Sequence, residues 1–265
     1  MIGQIYKSAF GVISKKPLRL WGIVILASIV AGIVSAMFGI IPGAAIFLGS
    51  LIGVGKDMVF LHAYRGRKVE PYQLFDAFKD GKTASKVIKG MFYRALMLSL
   101  WLLIPIAGFF IFIVRSYRYR LTSYILMQED PENPYEAYKI SKRRTKGFCG
   151  KMFLADLLPM LCVTVILGVF FLIDRPLIMN QKIGALVAIG VVEFAVLVAI
   201  AIFLPLFLGL VHAAFYEELT AYNNNAVSTA ANTAMSEYDP KEWEDPDKTV
   251  AVPTQPDPVD PAPAQ

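Results

Sequence analysis

An all-α, polytopic bundle of membrane-spanning helices is the fold class this sequence predicts, on three observations. Residues 20 to 55 run thirty-six positions without an Asp, Glu, Lys, Arg or His. Hydrophobic residues make up 56% of the 265-residue chain and charged ones only 18%, below the roughly 25% charged of soluble proteins. Lys and Arg gather between the apolar blocks rather than inside them. One span needs about 20 apolar residues, so the first run holds two. Ile40-Ile41-Pro42-Gly43 lies near its middle, where Pro removes a backbone donor and Gly permits a reversal.

The elements follow in order. Ile2, Ile5, Tyr6, Ala9, Phe10 and Ile13 recur at helical spacing and Pro17 stops the pattern, so residues 1 to 16 read as an amphipathic helix on the inner membrane surface. The apolar stretch behind it far exceeds the roughly 7 to 15 residues of a signal-peptide core, and no cleavage is expected. Lys7, Lys15, Lys16 and Arg19, with no acid among them, place the N-terminus in the cytoplasm. Spans at about 20–40 and 44–63 bring the chain back to that side, where Arg65, Arg67, Lys68, Lys79, Lys82, Lys86, Lys89 and Arg94 follow. Within this segment Leu74, Phe75 and Phe78, opened by Pro71, predict a second, shorter interfacial helix.

Residues 95 to 114 have the length of one span, yet a single crossing would carry nine basic residues, from Arg115 to Lys151, outside. Pro105 at the centre offers a hairpin returning to the cytoplasm. Two full spans are expected, about 84–104 and 106–127, with residues 121 to 127 supplying extra apolar length; a re-entrant hairpin that dips halfway is the alternative. Spans at about 151–173 and 183–212 complete six, arranged as three hairpins with both termini cytoplasmic, and Asp174, Arg175, Pro176 and Lys182 fall in an outer loop. At a shift of 63 residues Ile41-Pro42 aligns with Ile104-Pro105 and Pro71-Tyr72 with Pro134-Tyr135, a weak internal repeat.

A third interfacial helix has the best start signal: Asn133 as cap, Pro134 at the first position, Glu136 at the capping-box position and Gly147 as stop. Lys139, Lys142, Arg143, Arg144, Lys146 and Lys151 follow without an acid. Each is worth about 1 kcal/mol near an anionic leaflet, so anionic lipid headgroups are the expected partners, although the positive-inside rule accounts for the same charge. From Glu237 onward eight acids face only Lys241 and Lys248, which leaves the body at +11 out of a net +5. With seven prolines there, residues 223 to 265 read as a disordered acidic cytoplasmic tail that cannot bury enough surface to offset its ordering entropy.

Charged residues at depth are costly and face a partner or a hydrated cavity. Lys56, Asp57, Arg115, Arg118, Asp156 and Glu193 fall in or beside the spans and form the candidate intramembrane polar cluster. Glu193 lies about ten residues into the last span; a transporter would pair it with Arg115 or Arg118, whereas a packing salt bridge or a neutral carboxyl would also hold it there. Catalytic patterns are missing. His62 and His212 lie in separate spans without metal spacing, so interfacial packing is expected of both, and Cys149 and Cys162 form no redox or metal motif. Gly53-x-Gly55-Lys56 lacks the earlier Gly of a phosphate loop and has Asp57 where Ser or Thr would bind magnesium. The expectation is therefore a non-enzymatic membrane protein that organises lipid or binds partner proteins, with no cofactor, metal or nucleic acid. A small-solute or ion transporter is the alternative and a lipid-acting enzyme the third reading.

Residues 115 to 157 carry a resemblance. Ile104-Pro105, the Tyr-rich basic segment from Tyr117 to Tyr124, Glu136-Ala137 with Ser141, Gly147, and Phe153-Leu154 with Asp156-Leu157 resemble a bacterial integral membrane family catalogued as domain of unknown function 975. Leu74-Phe75 with Phe78 upstream, and Pro205 and Ala214-Phe215-Tyr216-Glu217 downstream, extend the likeness over roughly residues 1 to 219. Leu206 and Pro159 depart from the family pattern. The resemblance implies a multi-span protein of a bacterial plasma membrane and supplies no mechanism.

Overall fold

The periodic apolar positions of the N-terminus form α1 (Ile2–Lys15) in a computed structural model that describes residues 1–15, 17–38, 42–104, 106–179 and 183–236. Every regular element among these residues is helical. The buried stripe of α1 is Ile5, Ala9 and Ile13, spaced by four as one helical face requires. The sequence suggests an interfacial helix with this stripe towards lipid; in the structure the stripe meets protein. It packs onto the last helix, where the Tyr6 ring meets Phe207 at 5.2 Å and the Tyr6 hydroxyl donates to the Ala155 carbonyl at 2.6 Å. The amphipathic face is satisfied by protein.

Next comes α2 (Pro17–Phe38), whose segment Leu18–Val34 stands at 97° to α1. Leu20, Ile23, Val24 and Ala27 are buried along one side, while Leu18, Ile25, Ile29 and Ile33 are exposed on the others. A helix apolar all round with one protein-covered side suits a membrane. The following helix, α3 (Pro42–Tyr64), buries Leu51, Ile52, Val54 and an unbroken run from Met58 to Leu61. Ile40 and Ile41 of the expected turn lie outside the described residues. The expected short interfacial helix is a 3-10 helix, Pro71–Phe78, with Leu74 and Ala77 buried. Asp80 then caps α4 (Gly81–Leu102), accepting from the Thr83 amide at 2.5 Å.

The expected span over residues 106 to 127 is not one helix. In its place α5 (Ala107–Arg118) has 12 residues, roughly 18 Å, and residues 119 to 121 separate it from α6 (Thr122–Gln128). The five residues from Thr122 to Leu126 are buried in the protein. Arg115, Arg118 and Arg120 arrive within six positions and cannot be carried through hydrocarbon cheaply, so the apolar length of α6 is spent on the protein core. Pro105 lies outside the described residues.

A 3-10 turn, Pro134–Glu136, leads into α7 (Ala137–Arg144). Asn133 accepts from the Tyr135 amide at 3.0 Å and Pro134 takes the first position, but the Glu136 side chain makes no capping bond. Gly147 follows at φ 81, the left-handed conformation that glycine adopts without a Cβ penalty.

Two long helices complete the chain. The first, α8 (Cys149–Met179), continues through Asp174, Arg175 and Pro176, past the expected end at 173. The second, α9 (Ile183–Ser236), continues past 223, where the tail was expected to begin. Residues 226 to 236 are mostly Ala, Ser and Thr, with Ala the strongest helix former, and the Ser228 and Thr229 hydroxyls fold back on the Asn225 carbonyl. The rest of the acidic tail lies outside the described residues. Segments Cys149–Pro176 and Val187–Thr229 are long and apolar enough to cross a membrane, and a third span is present if α1 and α2 count as one bent pair. Around α8 the residues Leu161, Val165, Val169, Phe171 and Leu172 are all at least half exposed, as lipid-facing residues would be.

The packed core lies towards one end of these arms. It joins α1, the second half of α3, α6, the first residues of α8 and the α9 stretch from Leu206 to Leu219. This head is where the polar side chains converge.

Candidate functional site

Gly209 sets the geometry of the site. A Cβ at this position of α9 would come within 2.1 Å of the Phe60 ring of α3, so the missing side chain lets the two helices approach closely. Beside this crossing is a cavity of about 280 Å³, into which α3 brings Lys56 and Asp57, α4 brings Arg94, the α5–α6 break brings Arg120, α6 brings Tyr124 and α9 brings His212. Its α9 wall is Pro205, Leu208, Gly209 and His212, which at spacings of three and four residues share one helical face.

Two polar ties fix the walls. The Ser123 hydroxyl donates to Asp57 Oδ2 at 2.6 Å, joining α6 to α3. On the other side Arg120 Nη2 lies 3.3 Å from Asp156 Oδ2 and 2.8 Å from His212 Nε2, which is itself 2.8 Å from Asp156 Oδ1. One Nε2 cannot accept from arginine and donate to the carboxylate at once. With the proton on Nε2, His212 serves one carboxylate oxygen and Arg120 the other, and the ring nitrogen left to accept from Arg120 is Nδ1, 3.3 Å from Nη2; we assign that tautomer. The Asp156 and His212 side chains are only 10% and 12% exposed, which makes this a buried cluster that ties the α5–α6 break to both long helices.

Among the described residues three groups at the cavity have no such partner. Among the described residues Lys56 forms no ion pair or hydrogen bond. For the Arg94 side chain the one hydrogen bond among the described residues is to the Met91 sulfur, at 3.9 Å. Tyr124 is 1% exposed, its ring stacked on Tyr216 at 5.0 Å, and its buried hydroxyl has no hydrogen-bond partner.

The six residues expected to cluster are divided. Lys56 and Asp57 line the cavity, and Asp156 joins it through Arg120. Arg115 instead lies over the Trp101 ring at 4.9 Å and donates to the Tyr119 hydroxyl. At Arg118 the carbonyl accepts from Ser141 at 2.8 Å and Thr145 at 3.1 Å, while its buried Nε is unpartnered. Glu193 lies between the exposed Val192 and Phe194 of α9 and makes no ion pair or hydrogen bond among the described residues. The pairing of Glu193 with Arg115 or Arg118 that a transporter would use is therefore not formed among the described residues.

The basic set on and after α7 divides as well. Lys139, Lys142, Arg143, Lys146 and Lys151 are exposed, the last with its ammonium 5.2 Å from the Phe148 ring centre. Arg144, counted among the expected lipid contacts, grips Glu129 with two bonds of 2.5 and 2.7 Å, and Tyr216 donates to the same carboxylate at 3.0 Å. Sequence reasoning missed Arg120, Tyr124 and the bridging role of His212. The one available signal was the face shared by Pro205, Gly209 and His212, in which a histidine and a glycine interrupt an apolar helix.

Compared with known proteins, the chain matches no family model, no curated protein and no solved structure.

Proposed function

We propose that this is a multi-pass, non-enzymatic protein of a bacterial plasma membrane that organises anionic lipid around a packed cytoplasmic head. The observation that carries the reading is the apolar surface of α8 and the first half of α9, exposed on successive turns where none of the described residues covers it. In this reading α2, α3, α8 and α9 each cross the bilayer. The α4–α5 hairpin dips in without crossing, because α5 has 12 residues and α4 carries Lys82, Lys86, Lys89 and Arg94 in its first two-thirds. This revises the six-span expectation to four crossings but keeps both termini cytoplasmic, since a re-entrant hairpin and a pair of spans return to the same side. The resemblance of residues 115 to 157 to a bacterial membrane family supports the choice of membrane.

Exposed Lys139, Lys142, Arg143 and Lys151 then ring the head near the inner leaflet, each contributing about 1 kcal/mol towards anionic headgroups. The test is photo-cross-linking of the full chain to phosphatidylglycerol in vesicles. Replacing Lys139, Lys142 and Arg143 by Gln should lower the cross-linked fraction severalfold; an unchanged fraction would leave these residues with a topological role alone. Transport through Glu193 and the α5 arginines is not favoured, because Glu193 has no partner among the described residues.

A further inference from the structure

We propose that the cavity between α3, α4, α6 and α9 binds a phosphate-type oxyanion, through Lys56, Arg94, Arg120 and the Tyr124 hydroxyl. Charge is the first argument. Arg120 is balanced by Asp156, which leaves Lys56 and Arg94 against Asp57 alone, and Asp57 already accepts from Ser123. A partly desolvated excess of positive charge is costly until an anion enters. The second argument is independent of charge: the Tyr124 hydroxyl is a buried donor with nothing to receive it, and such a group normally finds a partner. An anion in the cavity satisfies the hydroxyl and the two unpaired cations together.

The geometry favours phosphate over carboxylate. Donors arrive from α3, α4, α6 and the turn before α6, and a phosphate offers oxygens in several directions, where a carboxylate has two in one plane. Size narrows the class further. At about 280 Å³ the cavity falls just below the roughly 300–1,000 Å³ of sites for drug-sized ligands, so it admits a free phosphate or the head of a lipid and not a whole amphiphile. Both sources share the chemistry; only experiment separates them. The inference does not depend on lipid organisation by the basic ring.

The test uses the full chain in maltoside micelles, which contain no phosphate. Inorganic phosphate is titrated calorimetrically, and phosphatidylglycerol binding is read in parallel by native mass spectrometry. Saturable phosphate binding that Lys56→Gln and Arg94→Gln each weaken by about 10- to 100-fold, the usual loss of a charged hydrogen bond, identifies a soluble ligand. Retention of phosphatidylglycerol with the same dependence on those residues, and no phosphate binding, identifies a lipid headgroup. Tyr124→Phe keeps the stacked ring and guards against variants that fail to fold. It should weaken the ligand severalfold while leaving the ligand-free protein as stable as before or more so, because an unsatisfied hydroxyl has been removed. If neither probe binds, or binding is indifferent to all three substitutions, the proposal is overturned.

Discussion

The two halves of α9 have the same kind of sequence and opposite surroundings. Val191, Val192 and Phe194 are 65%, 56% and 70% exposed, whereas Leu210, Val211, Ala214 and Phe215 are 0%. Hydrophobicity does not separate them. Small residues do not separate them either, since the exposed half holds Gly184, Gly190 and five alanines; what distinguishes the buried half is the close contact of Gly209 with the Phe60 ring and His212, which reaches a partner on α8. In a bilayer the tails are as apolar as leucine, so association depends on close packing and hydrogen bonds rather than on leaving water. The head has both; among the described residues the arm has neither, since Gly184 and Gly190 have nothing within 4 Å of their Cβ positions and Glu193 makes no hydrogen bond or ion pair.

The sharpest test of that contrast compares two phenylalanines on one helix. Phe215→Ala should cost about 3–5 kcal/mol, the usual loss for a filled core site, and Phe194→Ala no more than about 0.5 kcal/mol. Unfolding in mixed micelles would measure both. Equal losses would mean that the arm is packed against something after all.

Next in size is the polar tie. Asp156→Leu leaves Arg120 and His212 without their carboxylate, and breaking a buried pair from one side costs about 3–5 kcal/mol. Arg120 is 32% exposed, so water recovers part of this and about 2–3 kcal/mol is expected. The double change with His212→Leu should be less than additive if the two act as one cluster. Strict additivity in that cycle would dissolve the cluster into unrelated contacts.

Glycine gives an effect of opposite sign in the two halves. Gly209→Ala forces a methyl into the Phe60 ring and should destabilise by about 1–3 kcal/mol. Gly190, on the same helix, has nothing within 4 Å of its Cβ position, and Gly190→Ala should stabilise by about 0.5–1 kcal/mol through helix propensity. Matching signs would remove close packing as the reason for the difference.

The helices were largely legible in the sequence because membrane residence forces long apolar runs and places basic residues between them. Asn133 and Pro134 announced the turn into α7, and Pro17 the break after α1. The head was not legible. Residues 121 to 127 read as membrane because composition alone cannot say whether Leu121, Ile125 and Leu126 meet lipid or protein; the fold answered by placing them at 0–2% exposure. The site was half legible for a related reason. Intramembrane charge drew attention to Lys56, Asp57 and Asp156, but it gave Glu193 equal weight and passed over Arg120, which reads as one more loop arginine until α8 and α9 are brought beside it.

The smallest effect lies at the edge of the head, where α4 begins. Asp80 accepts from the Thr83 amide at 2.5 Å and from its hydroxyl at 3.1 Å, and the amide bond above all holds its carboxyl below the ordinary range. A carboxylate with a depressed folded pKa contributes stability that is complete above its unfolded value, about 3.9, and is lost as pH falls through the folded value. The first turn of α4 should therefore keep its amide protection at neutral pH and begin to fray only below about pH 4. Asp80→Ala should show the frayed state at every pH, and Asp80→Asn, which still accepts the amide hydrogen, should restore the cap without the pH dependence. Hydrogen exchange at residues 82 to 84, read against intrinsic rates, distinguishes the three. Fraying that sets in together with loss of the Tyr124–Tyr216 stack would instead show that the edge and the centre of the head unfold as one unit.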